Sequence, residues 1–280
     1  MGAWVNINGT LLPAEGPVIT LDNRAFHYGD GLFETIRIVR GKPCFLDAHW
    51  ARLSEGLKVL RITVPQGLDR VRLEQAIAEL AARNNAPNAR CRLTVFRDSP
   101  GYYRPQRNDG AYTLELTTLD REAYILNERG YNVDLYPGMR KPVNFLSVHK
   151  TLGAQLFVMA GLWCIDHHLD DCLVQNDKGN IIESGTGNMF IVSNGVLYTP
   201  PLSDGCIGGV MRMQVINIAL ENRIKVYESS LNPQNLLVAD ELFFTNAATG
   251  VQWVAAYRTK RYGHRMALRL QDLLVEKVLS

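Results

Sequence analysis

The segment IIESGTGNMFIV, Ile181 to Val192, sets one carboxylate, Glu183, at the end of an apolar run and directly before a turn of Ser184, Gly185, Thr186 and Gly187. A carboxylate among apolar neighbours is costly unless something positive meets it. The nearly side-chain-free turn lets a flat cationic ligand lie close to the backbone. Upstream, Lys150 stands alone in FLSVHKTLGAQL, flanked by Phe145, Leu146, Val148 and Leu152. Apolar surroundings favour the neutral amine that attacks a carbonyl. The competing reading is a solvated surface lysine, which most lysines are. A lysine nucleophile, a strand-borne acid and a Gly-rich turn are the parts required by pyridoxal 5'-phosphate (PLP) chemistry: an amine for the Schiff base and an acid for the pyridine nitrogen.

Three further groups fit that chemistry. In GCIGGVMR, Gly205 to Arg212, the glycines, Gly209 among them, let the backbone approach a ligand. The N–H groups of Val210 and Met211 then open a helix whose positive end suits a phosphate; plain helix-start packing is the alternative. Arg52 lies off the Trp50–Leu57 apolar stripe of its helix and is a candidate to grip a phosphate, or a solvent-facing charge. Phe33, Thr35 and Arg37 alternate along a strand and share one face, with Ile36 and Ile38 on the other. With Tyr28 they form a candidate substrate wall. For a substrate carboxylate the candidates are the backbone amides of Ala247 and Ala248, Arg37, and Arg97 or Arg104 around a lid-like loop from Asp98 to Tyr103. The cluster Asp166, His167, His168, Asp170 and Asp171 sits where exposed turns belong, so no metal is expected. No GxGxxG or GxxxxGK[ST] pattern supports a dinucleotide or P-loop reading.

The elements that must position these residues can be read from patterning. Trp4–Ile7 and Thr10–Leu12 form a hairpin across Asn8-Gly9. Leu32–Val39 and Cys44–Leu46 form a second, turning at Arg40-Gly41-Lys42. Asp47 is expected to cap a helix carrying Trp50, Leu53, Leu57 and Leu60, and another helix spans about 68–83. Strands follow at 90–97, 111–119 and 132–136, then a helix over 151–164. A meander covers 172–176, 180–183, 188–192 and 196–199. A helix runs from Gly208-Gly209 to about Glu221, strands cover 241–245 and 251–257, and a terminal helix covers 269–279. Hairpins interleaved with single helices predict an α+β fold rather than a doubly wound parallel sheet. The polar stretch Asp120–Gly130 is the expected boundary between a smaller domain, 1–120, and a larger one, 131–280, with 121–130 as the connection.

With 280 residues the chain can bury a sizeable core. A net charge of +2 gives no reason to expect nucleic acid or an anionic membrane as partner. Five cysteines, an odd number without CxxC spacing, read as reduced thiols in a cytoplasmic protein. The N-terminus lacks the build of a signal peptide, and no apolar run reaches membrane-spanning length.

Taken together, these segments resemble the fold-type IV PLP enzymes: branched-chain and D-amino-acid aminotransferases and aminodeoxychorismate lyases. The likeness covers nearly the whole chain, and its motifs occur in the family's order. NRAFHYGDGLFETIR resembles the opening motif and AHWARL carries Arg52; HKTLG carries Lys150, and ESGTGNMF carries Glu183 and Asn188. GGVMR resembles the phosphate-binding helix start, and TNAATGVQWV the turn completing the phosphate and carboxylate sites. The resemblance implies a two-domain fold like that of aminodeoxychorismate lyase and D-amino-acid aminotransferase, with the cofactor in the interdomain cleft, and a homodimer. It also implies that Lys150 is the catalytic Schiff-base lysine, that Arg52, Val210 and Met211 hold the phosphate, and that Ile207 lies against the ring. Two positions depart from the branched-chain pattern: Gln155 stands where a tyrosine is usual, and Ala247 where a threonine is, so Asn246 is expected to take over a phosphate contact. The activity implied is amino transfer between an amino acid and a 2-oxo acid. Pyruvate elimination from 4-amino-4-deoxychorismate is the enzymatic alternative, and silent PLP binding the non-catalytic one.

Overall fold

The computed structural model describes residues 4–16 and 19–279. The chain divides into two units, Met1–Glu122 with His149–Gly153, and Ala123–Val148 with Ala154–Ser280. The short piece that carries Lys150 therefore groups with the first unit.

The first unit holds β1 (Trp4–Ile7), β2 (Thr10–Pro13), α1 (Arg24–Tyr28), β3 (Gly31–Val39), β4 (Lys42–Pro43), α2 (Leu46–Leu60), α3 (Arg70–Arg83), β5 (Ala89–Arg97) and β6 (Gly110–Thr118). Its six strands run in the order β2-β1-β6-β5-β3-β4, and β3, β5 and β6 are paired antiparallel. Both hairpin turns use two residues at positive φ, Asn8-Gly9 and Arg40-Gly41, as the right-handed strand twist requires. One sheet face presents Leu32, Ile36, Ile38, Cys91, Leu93 and Val95 to Leu53 and Leu57 of α2 and Leu73, Ile77 and Leu80 of α3, all in one buried cluster.

Three expectations change here. The strand returning from β3 is Lys42–Pro43 rather than Cys44–Leu46. Pro43 has no N–H to extend the ladder, and Phe45 at φ 54° turns the chain into α2. Asp47 is not the cap of α2: the cap is Phe45, two residues earlier, and Asp47 accepts instead from Arg70 Nε at 2.6 Å. Helix α1 is an addition to the expected elements. Five residues give no periodicity, although Asn23 caps it by accepting from the amides of Ala25 and Phe26.

The second unit holds β7 (Tyr131–Leu135), α4 (Gln155–Asp166), β8 (Asp171–Gln175), β9 (Ile181–Ser184), β10 (Asn188–Ser193), β11 (Val196–Thr199), α5 (Val210–Glu221), β12 (Val226–Glu228), α6 (Pro233–Val238), β13 (Glu241–Asn246), β14 (Gly250–Tyr257), β15 (Lys260–Arg261) and α7 (Arg265–Leu279). The sheet path β10-β13-β14-β7-β8-β9 returns to β10 through the pair Glu183–Asn188. The acid thus sits where the sheet closes on itself. Helix α4 starts at Gln155 rather than at 151, because the residues before it pair with β3. The short elements β12, α6 and β15 carry too few residues for a readable pattern, and α7 begins four residues earlier than expected.

Candidate functional site

Lys150 is placed by backbone pairing. Its carbonyl accepts from Phe33 N–H, and Leu152 N–H donates to the Gly31 carbonyl, both at 3.0 Å. With the bridge Leu32–Thr151, the segment is a short added strand on β3. The edge is open there because β4 pairs only with Ile38 and Val39. Gly31 is packed closely on both sides: a β-carbon on it would collide with the Val95 carbonyl oxygen of β5 and lie 2.9 Å from Leu152 Cδ1. Lys150 Nζ stands 4.2 Å from the Phe33 ring centroid, and the Arg92 guanidinium carbon 4.0 Å from the same ring. Both are within cation–π range. Burial pulls the His149 imidazole below its ordinary value, so at neutral pH this neighbour adds no second charge beside the lysine.

Arg52 is not a solvent-facing charge. Glu34 lies between Leu32 and Ile36 on the apolar face of β3 and is 2% exposed. Arg52 Nε donates to Glu34 Oε1 at 2.8 Å, Arg52 Nη2 reaches Oε2, and His49 Nδ1 lies 2.6 Å from Oε2. Burial alone would raise the Glu34 carboxyl; the Arg52 charge and the hydrogen bonds from His49 and Arg52 overcome it and hold it at about 2. The guanidinium is thereby fixed in plane by a charged acceptor. Sequence reasoning missed both Glu34 and His49. Glu34 interrupts an apolar alternation, and that interruption was the available signal.

In the second unit, Glu183 is 2% exposed. Its Oε1 accepts from Lys141 Nζ at 2.6 Å and its Oε2 from Ile207 N–H at 3.0 Å. Asn188 Nδ2 donates to the Ile207 carbonyl at 2.7 Å. The acid strand and the start of α5 are thus tied through one residue. Gly209 is the N-cap of α5, no side chain caps the helix, and its first turn holds no acid. The initial N–H groups, at Val210 and Met211, therefore present a positive helix end to whatever lies there. A β-carbon on Gly209 would collide with Asn188 Oδ1. Thr245 on β13 pairs directly with Asn188, and its buried Oγ1 has no hydrogen-bond partner among the described residues. His49 Nε2 is orphaned in the same way. Such groups cost free energy until a polar ligand meets them. An uncapped helix start, an orphaned hydroxyl and a fixed acid fit a phosphorylated pyridine.

Some of the other candidates are engaged within the fold. All five N–H groups of Arg97 are engaged: Nε and Nη2 by Asp30, Nη1 by the Arg61 carbonyl and Asn108 Oδ1, and Nη2 again by the Leu60 carbonyl. Arg97 therefore has no donor left for a carboxylate. The amide of Ala248 donates to Asn246 Oδ1, which also accepts from the amide of Thr249. That Asx turn removes Ala248 from the carboxylate donors and leaves Asn246 only its Nδ2 side for a phosphate. The Ala247 carbonyl accepts from Tyr124 Oη at 3.0 Å. Arg37 is 5% exposed and its Nη2 faces the carbonyls of Arg121 and Glu122. Tyr28 ends α1 with its ring 5.3 Å from that of Tyr103. Arg24 holds the adjoining loop through the carbonyls of Gly101 and Tyr102, whereas Tyr102, Tyr103 and Arg104 are exposed. Phe33 and Thr35 share a half-buried face with Arg92, the direct partner of Thr35 in β5.

Among the described residues, Cys164, Asp171 and Cys172 come within 4.8 Å of one another. Asp171 already accepts from Cys172 N–H and from Thr186 Oγ1, both at 2.7 Å, so it staples the turn behind Glu183. Burial pushes its carboxyl up, against those hydrogen bonds.

Residues 31–257 match the family described as class IV amino-transferases. A protein of Methanocaldococcus jannaschii assigned as a branched-chain-amino-acid aminotransferase is 31% identical over 248 residues, covering 88% of this chain and 85% of that one. A T.th. branched-chain amino acid aminotransferase, crystallised with pyridoxamine 5'-phosphate, superposes with a TM-score of 0.89 at 25% identity, over 99% and 94% of the two chains. A Legionella pneumophila protein assigned as a 4-amino-4-deoxychorismate lyase gives 0.82 at 25% identity, over 94% and 96%. The lysine on the edge of β3, the acid at the sheet closure and the uncapped α5 thus occur in a chain that belongs to the class IV aminotransferase family.

Proposed function

We propose that this chain is a PLP-dependent aminotransferase moving an amino group between a branched-chain amino acid and a 2-oxo acid. One observation carries the reading: Glu183 and the uncapped start of α5 are joined through Ile207, which supplies together an acid for a pyridine nitrogen and a positive helix end for a phosphate. When bound, PLP supplies an aldehyde that takes up the amino group and a ring that draws electrons from the substrate α-carbon. Lys150 Nζ holds the cofactor covalently at rest and then moves the proton at the α-carbon. Glu183 keeps a proton on the ring nitrogen. The Val210 and Met211 amides would bind the phosphate, with Gly209 allowing the approach, and Arg52, oriented by Glu34, the Thr245 hydroxyl and Asn246 Nδ2 would add donors to it; Ile207 is assigned to the ring. Phe33, Thr35 and Tyr28 are assigned to the substrate. Its carboxylate falls to the Ala247 amide and to Arg92, which replaces Arg97 in that role. The relatives' names support the branched-chain substrate.

The lyase is the second reading, favoured by the Legionella likeness and by Gln155 and Ala247. The test is to supply the purified chain with 2-oxoglutarate and L-leucine, D-alanine or 4-amino-4-deoxychorismate, and to follow glutamate and pyruvate. Glutamate formed with L-leucine is expected. Pyruvate released from aminodeoxychorismate without any acceptor would refute amino transfer.

We assign the working form as a homodimer in the cytoplasm. Val158, Met159, Leu162 and Ile165 of α4 are exposed, and an apolar patch of this kind suits a second copy. All five cysteines are free, which suits a reducing compartment. No helix among the described residues is long and apolar enough to cross a membrane.

A further inference from the structure

In the sequence Lys141 sits in MRKPV without a motif. In the fold its Nζ donates to Glu183 Oε1 at 2.6 Å, with the two side chains 13% and 3% exposed. Its position is fixed at both ends. The backbone N–H donates to the Gln175 carbonyl at 2.9 Å, and the Lys141 carbonyl accepts from Asp177 N–H, pinning the residue to the end of β8. Nζ also lies 5.6 Å from the Phe157 ring centroid.

The other ionisable groups around Glu183 do not compensate it. Burial pushes the Cys206 thiol up to about 12, so it is neutral. Arg212 is committed to Glu228 and the Pro200 carbonyl. Asp204, which accepts from Asn180 Nδ2, carries the same sign as Glu183. Among the described residues Lys141 is the cation hydrogen-bonded to this acid, and Ile207 N–H takes its other oxygen. Both oxygens are held, so the plane of the carboxylate is set before any ligand arrives.

We propose that Lys141 is a positioning residue that fixes the Glu183 carboxylate and, by sharing its negative charge, sets how firmly that acid holds a proton on the ring nitrogen of PLP. The inference rests on the PLP reading given above. A carboxylate with one ammonium already on it attracts a second cation less strongly than an unshared one. An added positive charge nearby also disfavours a protonated ring.

The test uses the full chain as K141M and K141R, each loaded with PLP labelled with nitrogen-15 in the ring, and reads the nitrogen shift against pH. In K141M the ring nitrogen is expected to lose its proton about one pH unit higher than in the parent, roughly a tenfold change in proton affinity. K141R, which keeps the charge, is expected to follow the parent. A merely structural lysine would lower the thermal midpoint of the PLP-free protein without moving the ring titration. Should K141M fail to fold, K141Q keeps a donor without the charge and carries the same expectation. Labelled PLP bound in K141M and titrating as in the parent overturns the proposal and leaves the functional reading intact. Failure of the parent to bind labelled PLP overturns both.

Discussion

Glu34→Gln is the sharpest perturbation the structure offers. A carboxyl held at about 2 in the folded chain, against 4.5 when exposed, contributes about 3 kcal/mol to stability at neutral pH. The folded value is depressed, so the contribution is complete above pH 4.5 and is lost as pH falls from there through 2. By pH 3 about 2 kcal/mol of it is gone. Glutamine removes the titration and leaves Arg52 without its charged partner. The expected result is therefore a variant less stable than the parent at pH 7 by about 3–5 kcal/mol, the cost of breaking a buried pair, yet losing less stability between pH 7 and pH 3. Urea unfolding at several pH values in that range measures both quantities. Parallel stability curves for parent and E34Q would refute the claim that Arg52 and His49 hold Glu34 ionised. The same variant should bind PLP more weakly, because the guanidinium assigned to the phosphate is no longer held in plane; unchanged affinity would detach Arg52 from the phosphate.

Borohydride reduction of the protein loaded with PLP and peptide mapping should place the pyridoxyl group on Lys150, and label on another lysine would remove that assignment. Glu183→Gln should retain PLP and slow single-turnover proton abstraction by roughly 10²–10³, the scale of one preorganised electrostatic partner; an unchanged rate would return the acid to a structural role. Arg97→Ala should lower the melting temperature, since it leaves the partly buried Asp30 with Arg24 alone and three other acceptors without their donor, with little change in KM. Arg92→Ala should lower kcat/KM by roughly 10–150-fold, the worth of one charge-assisted hydrogen bond, at unchanged PLP retention. A variant as active as the parent would leave the carboxylate to the backbone at Ala247.

Local rules made much of the scaffold readable. Asn8-Gly9 and Arg40-Gly41 declare their hairpins because positive φ at two successive positions demands such residues. The Leu53–Leu57 and Leu73–Ile77–Leu80 spacings declare α2 and α3 because a helix repeats its face every three to four residues. Lys150, Glu183 and the glycines before Val210 were equally visible as candidates, since a lone lysine among apolar residues and a carboxylate before a glycine-rich turn are local anomalies. The partners of these groups were not. Lys141 and Glu183 stand 42 residues apart and meet because β8 and β9 are neighbours and the strap before α4 is pinned to the end of β8. Glu34 meets Arg52 and His49 because α2 packs across β3. Lys150 joins β3 only because the free edge beside Gly31 can make two backbone hydrogen bonds, one donated by Phe33 and one accepted by the Gly31 carbonyl. Whether an arginine serves a ligand or the fold was likewise undecided until all five donors of Arg97 were found occupied. Side-chain type and local spacing are properties of a few consecutive residues. The pairing of charges across strands and helices depends on which elements pack together, and only the tertiary structure decides that.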